Sequence, residues 1–137
     1  MSDSCIFCKI ANGEIPSSTV YEDDDFKVIL DLSPATKGHA LVLPKKHFRN
    51  IFDIDDSISS RLFVVAGKVA RAMKASLNCD GINIVQNNEA IAGQTVFHFH
   101  LHIIPRYKHD GQKIGWKPGS SKPEDLQAIA GEIHKHL

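Results

Sequence analysis

Apolar positions recur along the chain with two different periods, and these set the expected elements. Residues 5–11 fit one or two helical turns, stopped at Asn12-Gly13, where a left-handed conformation is accessible. Residues 19–21 and 26–30 alternate or run apolar for a few residues and read as a hairpin. The acidic turn between them, residues 22–25, reads as solvated and nothing more. Asp31-Leu32-Ser33-Pro34 breaks the second strand, because proline has no amide hydrogen for a sheet ladder. Residues 39–43 form a third strand, closed by Pro44 and by Lys45-Lys46-His47, whose two lysines read as a solvated strand end.

From residue 57 to 77 the period changes. Ile58, Leu62, Val65, Ala66, Val69, Met73 and Leu77 fall three or four residues apart, the spacing of one face of a long amphipathic helix. Asp53 to Asp56 and Ser57 offer caps for it, Met73 belongs to the core, and Arg61, Lys68, Arg71 and Lys74 remain for solvent or a partner subunit. Residues 81–86 are a fourth strand, a polar loop occupies 87–93, and residues 97–105 are a fifth strand. A long polar stretch with the only tryptophan, Trp116, precedes a last helix carrying Leu126, Ile129, Ala130 and Ile133, with Ser121 and Glu124 as its capping box. The order helix, three strands, helix, two strands predicts an α+β fold. Its antiparallel five-stranded sheet is covered by one long helix, with a further C-terminal helix.

With 137 residues the chain suits a single domain, with residues 110–137 as a C-terminal extension. Sixteen basic and sixteen acidic residues cancel, which argues against a broad nucleic-acid or membrane surface while leaving room for a local cationic site. The start is not basic and no apolar run reaches the length of a signal-peptide core or a membrane span, so a cytoplasmic location is expected. Three cysteines, Cys5, Cys8 and Cys79, are too few for a disulfide framework. Cys79 reads as an incidental thiol, and Cys5-x-x-Cys8 as a metal knuckle or a redox pair.

The fifth strand carries the chemistry. In Phe97-His98-Phe99-His100-Leu101-His102-Ile103-Ile104-Pro105, three histidines alternate with large apolar residues, so His98, His100 and His102 share one face and Phe97, Phe99, Leu101 and Ile103 the other. The histidine row has three readings: a solvated strand face, three ligands of one catalytic metal, or a nucleophile flanked by supports for an anion. Gathering three rings from successive pleats onto one ion strains a regular strand. The cysteine pair has the spacing of a tetrahedral zinc site and needs two further ligands. His47 and His98 stand where a knuckle on the sheet edge reaches them, whereas His134 and His136 lie on the terminal helix. No strand precedes the cysteines and no parallel βαβ unit follows them, as a redox pair of the thioredoxin kind requires. With His98 given to zinc, His100 becomes the central free imidazole. His102 and His39 could donate to phosphate oxygens, and Gly93-Gln94-Thr95 could bring amides and a hydroxyl to the same anion.

These residues resemble the histidine triad (HIT) nucleotide hydrolases and transferases. His98-Phe99-His100-Leu101-His102-Ile103-Ile104 matches the family's motif, and Asp31-Leu32-Ser33-Pro34, Gly38-His39-Ala40-Leu41-Val42-Leu43-Pro44-Lys45-Lys46-His47 and Gly93-Gln94-Thr95-Val96 match its other landmarks. The resemblance implies a homodimer whose two sheets join, with a purine nucleotide or nucleotide conjugate at each site and no catalytic metal. His100 would attack the α-phosphorus, and His102 and His39 would support the phosphate and orient the nucleophile. Asp31 would hold the ribose, Phe7, Ile10, Ile29 and Leu32 would surround the base, and Asn87, Gly93, Gln94 and Thr95 would lie near the phosphates. Members with an N-terminal cysteine pair imply structural zinc on Cys5, Cys8, His47 and His98. The layout is similar to the phosphoramidase branch, although the 110–137 extension departs from that branch's short tail. Dinucleoside polyphosphate hydrolysis, or a nucleotide-binding regulatory module with weak activity and Trp116 as its anchor, are the alternatives, and a metallohydrolase is a third.

Overall fold

The computed structural model describes residues 4–137. Helix α1 spans Ile6–Ala11, strands β1, β2 and β3 span Thr19–Glu22, Phe26–Leu30 and Ala40–Pro44, and helix α2 spans Asp56–Leu77. Strand β4 (Gly81–Val85), a single 3-10 turn (Ala90–Ala92), strand β5 (Leu101–Arg106) and helix α3 (Pro123–His134) complete the order. The sheet runs β1-β2-β3-β5-β4 and every pairing is antiparallel. The expected α+β architecture is therefore the observed one.

The two-residue rhythm sorts the sheet into two faces. Phe26 and Val28 of β2, Ala40 and Val42 of β3, and Leu101 and Ile103 of β5 pack against Ile58, Leu62, Val65, Ala66, Val69 and Met73 of α2. Side chains one position out of register point the other way, and Ile29, Leu41 and Leu43 meet Phe7 and Ile10 of α1. The sheet is thus covered on both sides, not by the long helix alone. Burying a side chain of this size contributes roughly 1.5–3 kcal/mol, so α1 is held by its few apolar residues and not by its length. Lys27, buried on the α1 face, donates from Nζ at 3.0 Å to the Ile10 carbonyl at the end of α1, which also accepts from the Gly13 amide. Asp55 caps α2 by accepting from the Ile58 amide at 2.9 Å, and Gly13 takes the positive φ, 87°, that ends α1.

Several expectations need correction. The acidic turn does more than face solvent: Asp23 accepts from the Asp25 and Phe26 amides and from the Tyr21 hydroxyl, and Asp25 pairs with Arg61 of α2 at 2.6 Å. Lys45 likewise pairs with Glu22 at 2.8 Å. The Ser121 capping box does not form, because Pro123 opens α3 and Lys122 stands at the cap position without a side-chain bond. Proline fixes the first helical turn and moves the boundary one residue beyond the serine. All of α3 is exposed, including Leu126, Ile129 and Ile133.

The largest departure concerns the histidine strand, which begins at Leu101 and not at Phe97. Pairing between β3 and β5 stops at Val42 and Leu101, and beyond it Pro44 has no amide hydrogen to offer a neighbour. The chain leaves the ladder there, and the Phe99 amide donates instead to the Phe48 carbonyl at 2.7 Å. Phe97, expected in the buried row, is 36% exposed and lies under the Arg49 guanidinium, 4.3 Å from its ring centre. Phe99, Leu101 and Ile103 keep the expected buried face.

Candidate functional site

Release from the ladder separates the three histidines. His98 turns toward the N-terminal cysteines, His100 lies beside Phe7 with ring centres 5.0 Å apart, and His102, on β5, shares the α1 face of the sheet. His98 and His100 are buried and His102 is partly so.

Cys5, Cys8, His47 and His98 converge so that one ligand atom from each lies within 4.8 Å of the others. The His98 Nδ1 atom is 3.4 Å from Cys5 Sγ, 3.5 Å from Cys8 Sγ and 3.2 Å from His47 Nδ1, and Cys8 Sγ is 3.3 Å from His47 Nδ1. A tetrahedral zinc ion with bonds of about 2.0 Å to nitrogen and 2.3 Å to sulfur requires edges of roughly 3.3–3.8 Å, so these donors fit one ion. His98 also presents the correct nitrogen. Its Nε2–H donates to the Pro44 carbonyl at 2.8 Å, which leaves Nδ1 with a free lone pair. Burial is the largest cause that pushes the His98 pKa down, to about 4, and so favours the neutral ligand form. The four residues expected to bind metal are thus brought together.

A different logic governs the other histidines, because their hydrogen-bond partners assign their tautomers. The Ala35 amide donates to His39 Nδ1 at 2.9 Å, so the His39 proton sits on Nε2. Nε2–H in turn donates to His102 Nδ1 at 2.9 Å, which places the His102 proton on its own Nε2. His100 Nδ1–H donates to the His98 carbonyl at 2.7 Å and leaves His100 Nε2 as an unprotonated nucleophile. The Asp31 carboxylate lies 3.7 Å from His39 Nε2 and accepts from the Ser33 amide at 2.8 Å. Asp31, His39 and His102 also form a compact group with metal-ligand atoms. Its chemistry is against a cation, since His39 Nε2 carries a proton as long as Nδ1 accepts from a backbone amide.

A cleft of about 320 Å³ opens over these groups and is lined by Phe7, Ile10, Ile29, Asp31, Leu32, Thr95, His100 and His102, all singled out in the sequence. Ile6, Leu30, Ser33, Leu41 and Val96 complete its walls. The β2 and β3 members were legible from the alternation that puts Ile29 and Leu41 on one face. Val96 carries no such signal because it lies outside regular structure. Asn87, Gly93 and Gln94 are not among the cleft-lining residues. Gln94 is buried as a loop anchor: its Nε2 donates to the Arg49 carbonyl at 2.7 Å and its Oε1 accepts from the Glu89 amide at 2.8 Å. Asn50 donates to Gln94 Oε1 and to Glu89, and Arg49 pairs with Glu89 at 2.9 Å, three residues that sequence reasoning missed because their partners are some forty positions away. Gly93 has φ 98° and abuts the Asn87 amide group, where a β-carbon would stand 3.2 Å from it. These residues support the loop that presents Thr95.

Burial lowers the pKa of His39 and pushes that of His102 down to about 4 from an ordinary 6.5. The sign follows directly: the unfolded chain binds the His102 proton first, so its contribution to stability is complete above pH 6.5 and is lost as the pH falls toward 4. The relay from His39 to His102 should therefore survive mild acid. A thermal midpoint that declines progressively below pH 6.5, with a His102→Asn variant showing a shallower decline, is the expected result in a melting series.

With the geometry in hand, the fold and the paired histidine clusters define a histidine-triad architecture. The profile of the HIT domain family matches residues 12–109, and the chain belongs to that family. It is similar to a crystal structure of a HIT family protein from Bacillus anthracis at 47% identity and a TM-score of 0.94, covering 100% of this chain and 99% of that one. Adenosine 5'-monophosphoramidase hnt1 of Schizosaccharomyces pombe is 37% identical over 135 residues, 98% of either chain. A Zn-bound histidine triad family protein from Mycobacterium smegmatis superposes with a TM-score of 0.75 at 36% identity, covering 98% of both. Among the described residues no helix is long and apolar enough to cross a membrane.

Proposed function

We propose that the protein hydrolyses purine nucleoside phosphoramidates or related nucleotide conjugates through a nucleotidyl intermediate on His100. The observation that carries this reading is the His100 tautomer: Nδ1–H is committed to a carbonyl, and the Nε2 lone pair faces a cleft with apolar walls and one carboxylate. Phe7, Ile10, Ile29 and Leu32 offer a slot for the base and Asp31 an acceptor for ribose hydroxyls. Thr95 stands at the phosphate end, with Asn87, Gly93 and Gln94 shaping its loop. In the first step His100 Nε2 bonds to phosphorus as the bond from phosphorus to the leaving nitrogen breaks, and the amine departs with a proton taken from solvent. In the second, water bonds to phosphorus and gives up a proton to solvent, the bond to Nε2 breaks and the imidazole is restored with its proton on Nδ1. The His102 Nε2–H is the neutral donor available to the phosphate oxygens in both steps, and His39 orients it.

We assign structural zinc to Cys5, Cys8, His47 and His98. When bound, it would tie α1 to the end of β3 and to the segment before β5, and so hold the His98 carbonyl that His100 uses. A homodimer joined through β4 is also inferred, because β4 is an edge strand with Ile84 exposed, beside the exposed Phe63 and Val64 of α2. A sedimentation experiment giving only monomer at micromolar concentration would remove that inference.

Turnover of adenosine and guanosine phosphoramidates, measured beside dinucleoside polyphosphates, tests the substrate class. Faster cleavage of the phosphoramidates is expected. A preference for the dinucleotides would move the protein to the other hydrolytic branch, and negligible turnover of every member, together with nucleotide binding, would favour a regulatory module.

A further inference from the structure

The stretch after β5, with no regular structure until α3, makes one set of contacts that the reaction does not use directly. The loop 32–38 between β2 and β3 carries the Ala35 amide, whose bond to His39 Nδ1 places the His39 proton on Nε2, toward His102 and the Asp31 carboxylate. The Tyr107 hydroxyl donates to the Lys37 carbonyl at 2.6 Å, and the Gln112 side-chain amide donates to the carbonyl of Ala35 itself at 2.8 Å. Thr36 reaches back to donate to the Pro105 carbonyl. The loop is closed against the body at Gly38, with φ 93°, where a β-carbon would collide with Leu77 and press on Pro105.

Gln112 does not hang freely. Its amide donates to Asp110 at 3.0 Å, its carbonyl accepts from Arg106 at 2.6 Å, and Arg106 is locked to Asp110 and to Asn83 of β4. The Arg106 guanidinium, with the Gln112 and Tyr107 amides, holds the Asp110 carboxyl well below the usual carboxylate range. A rigid turn at the end of β5 thus grips the loop that sets the tautomer of the second histidine pair.

We propose that Gln112 and Tyr107 are positioning residues of the histidine relay, clamping the 32–38 loop so that the Ala35 amide keeps His39, and through it His102, in a single tautomer. The proposal rests on the His100 reaction read above for its effect on turnover, but its structural half stands alone. The clamp sits at the surface: Gln112 is exposed and Tyr107 half-buried. Neither side chain touches the cleft, and each acts through one backbone carbonyl of the loop.

The test combines imidazole tautomers with kinetics in the full chain. Two-bond proton–nitrogen correlation spectra show which ring nitrogen of each histidine carries its proton. In the unaltered protein His39 and His102 should both be protonated on Nε2 and His100 on Nδ1. Gln112→Met and Tyr107→Phe keep the size of each side chain and remove its donor. Either should give a mixture of His39 tautomers, with His100 unchanged because its partner lies outside the loop. Loss of one hydrogen bond of this kind lowers kcat about three- to tenfold, with KM nearly constant. A folded double variant with unshifted His39 and His102 signals overturns the proposal, and so does a His39 protonated on Nδ1 in the unaltered protein. Should the double variant not fold, Gln112→Met alone carries the comparison, since that side chain is exposed. If the tautomers shift in a protein that forms no nucleotidyl-histidine, the clamp is upheld and the reaction reading fails. If they stay unshifted in a protein that does form it, the clamp fails and the reaction reading is upheld.

Discussion

Replacing His100 by alanine is expected to reduce turnover of a nucleoside phosphoramidate by at least about a thousandfold while the protein stays folded. In the proposed reaction no other imidazole lining the cleft can replace His100, because the Nδ1 atom of His102 is occupied by His39 and its Nε2 carries a proton. Truncation leaves the His98 carbonyl without its 2.7 Å donor, so a modest fall in thermal midpoint accompanies the kinetic loss. Substrate affinity should change little, since the proposed base and ribose slot is lined by residues of α1 and of the end of β2 and the turn after it. A variant that retains turnover within about tenfold of the starting protein would exclude covalent catalysis at this position.

The second large effect concerns the cysteine and histidine cluster. Removing zinc with a chelator, or replacing Cys8 by alanine, should lower the thermal midpoint by more than about 10 °C. The basis is the set of four donors, Cys8 and His98 buried and Cys5 and His47 partly so, whose ligand atoms all lie within 4.8 Å of one another and which lose their common partner when the ion is removed. Loss of activity should then follow loss of structure, because His98, a ligand in the proposed zinc site, also supplies the carbonyl that accepts from His100 Nδ1. Chelation that abolishes turnover while leaving the melting curve in place would point to a catalytic metal instead. Metal content measured beside the melting curve separates the two outcomes.

How far the sequence carried these conclusions differed from element to element. The long helix was legible because Ile58, Leu62, Val65, Val69 and Met73 keep a helical period over about four turns. The strands were legible because each is a short alternating or apolar run bounded by turn residues, but the insertion of β5 between β3 and β4 was not. What the pattern did not disclose was the break at Pro44 and Leu101, where a missing amide hydrogen ends one ladder and frees the chain. His98 and His100 both contact the Phe7 ring of α1, yet off the ladder one reaches the cysteines and the other lines the cleft. Gln94 shows the reverse case. Its place in Gly93-Gln94-Thr95 suggested a backbone amide near the phosphate, and the sequence did not disclose that its side chain anchors the loop to Arg49, Asn50 and Glu89, partners that only folding brings near. The tautomer relay was out of reach for the same reason, since it depends on the amide of Ala35, a residue with no side-chain chemistry of its own.

Intact-protein mass measurement after rapid mixing with a nucleoside phosphoramidate tests the proposed chemistry most directly. The expected result is a transient species heavier by one nucleotidyl group, mapped by fragmentation to His100 and absent from His100→Ala. Efficient turnover with no such species at any mixing time, or an adduct mapped to another residue, would contradict it.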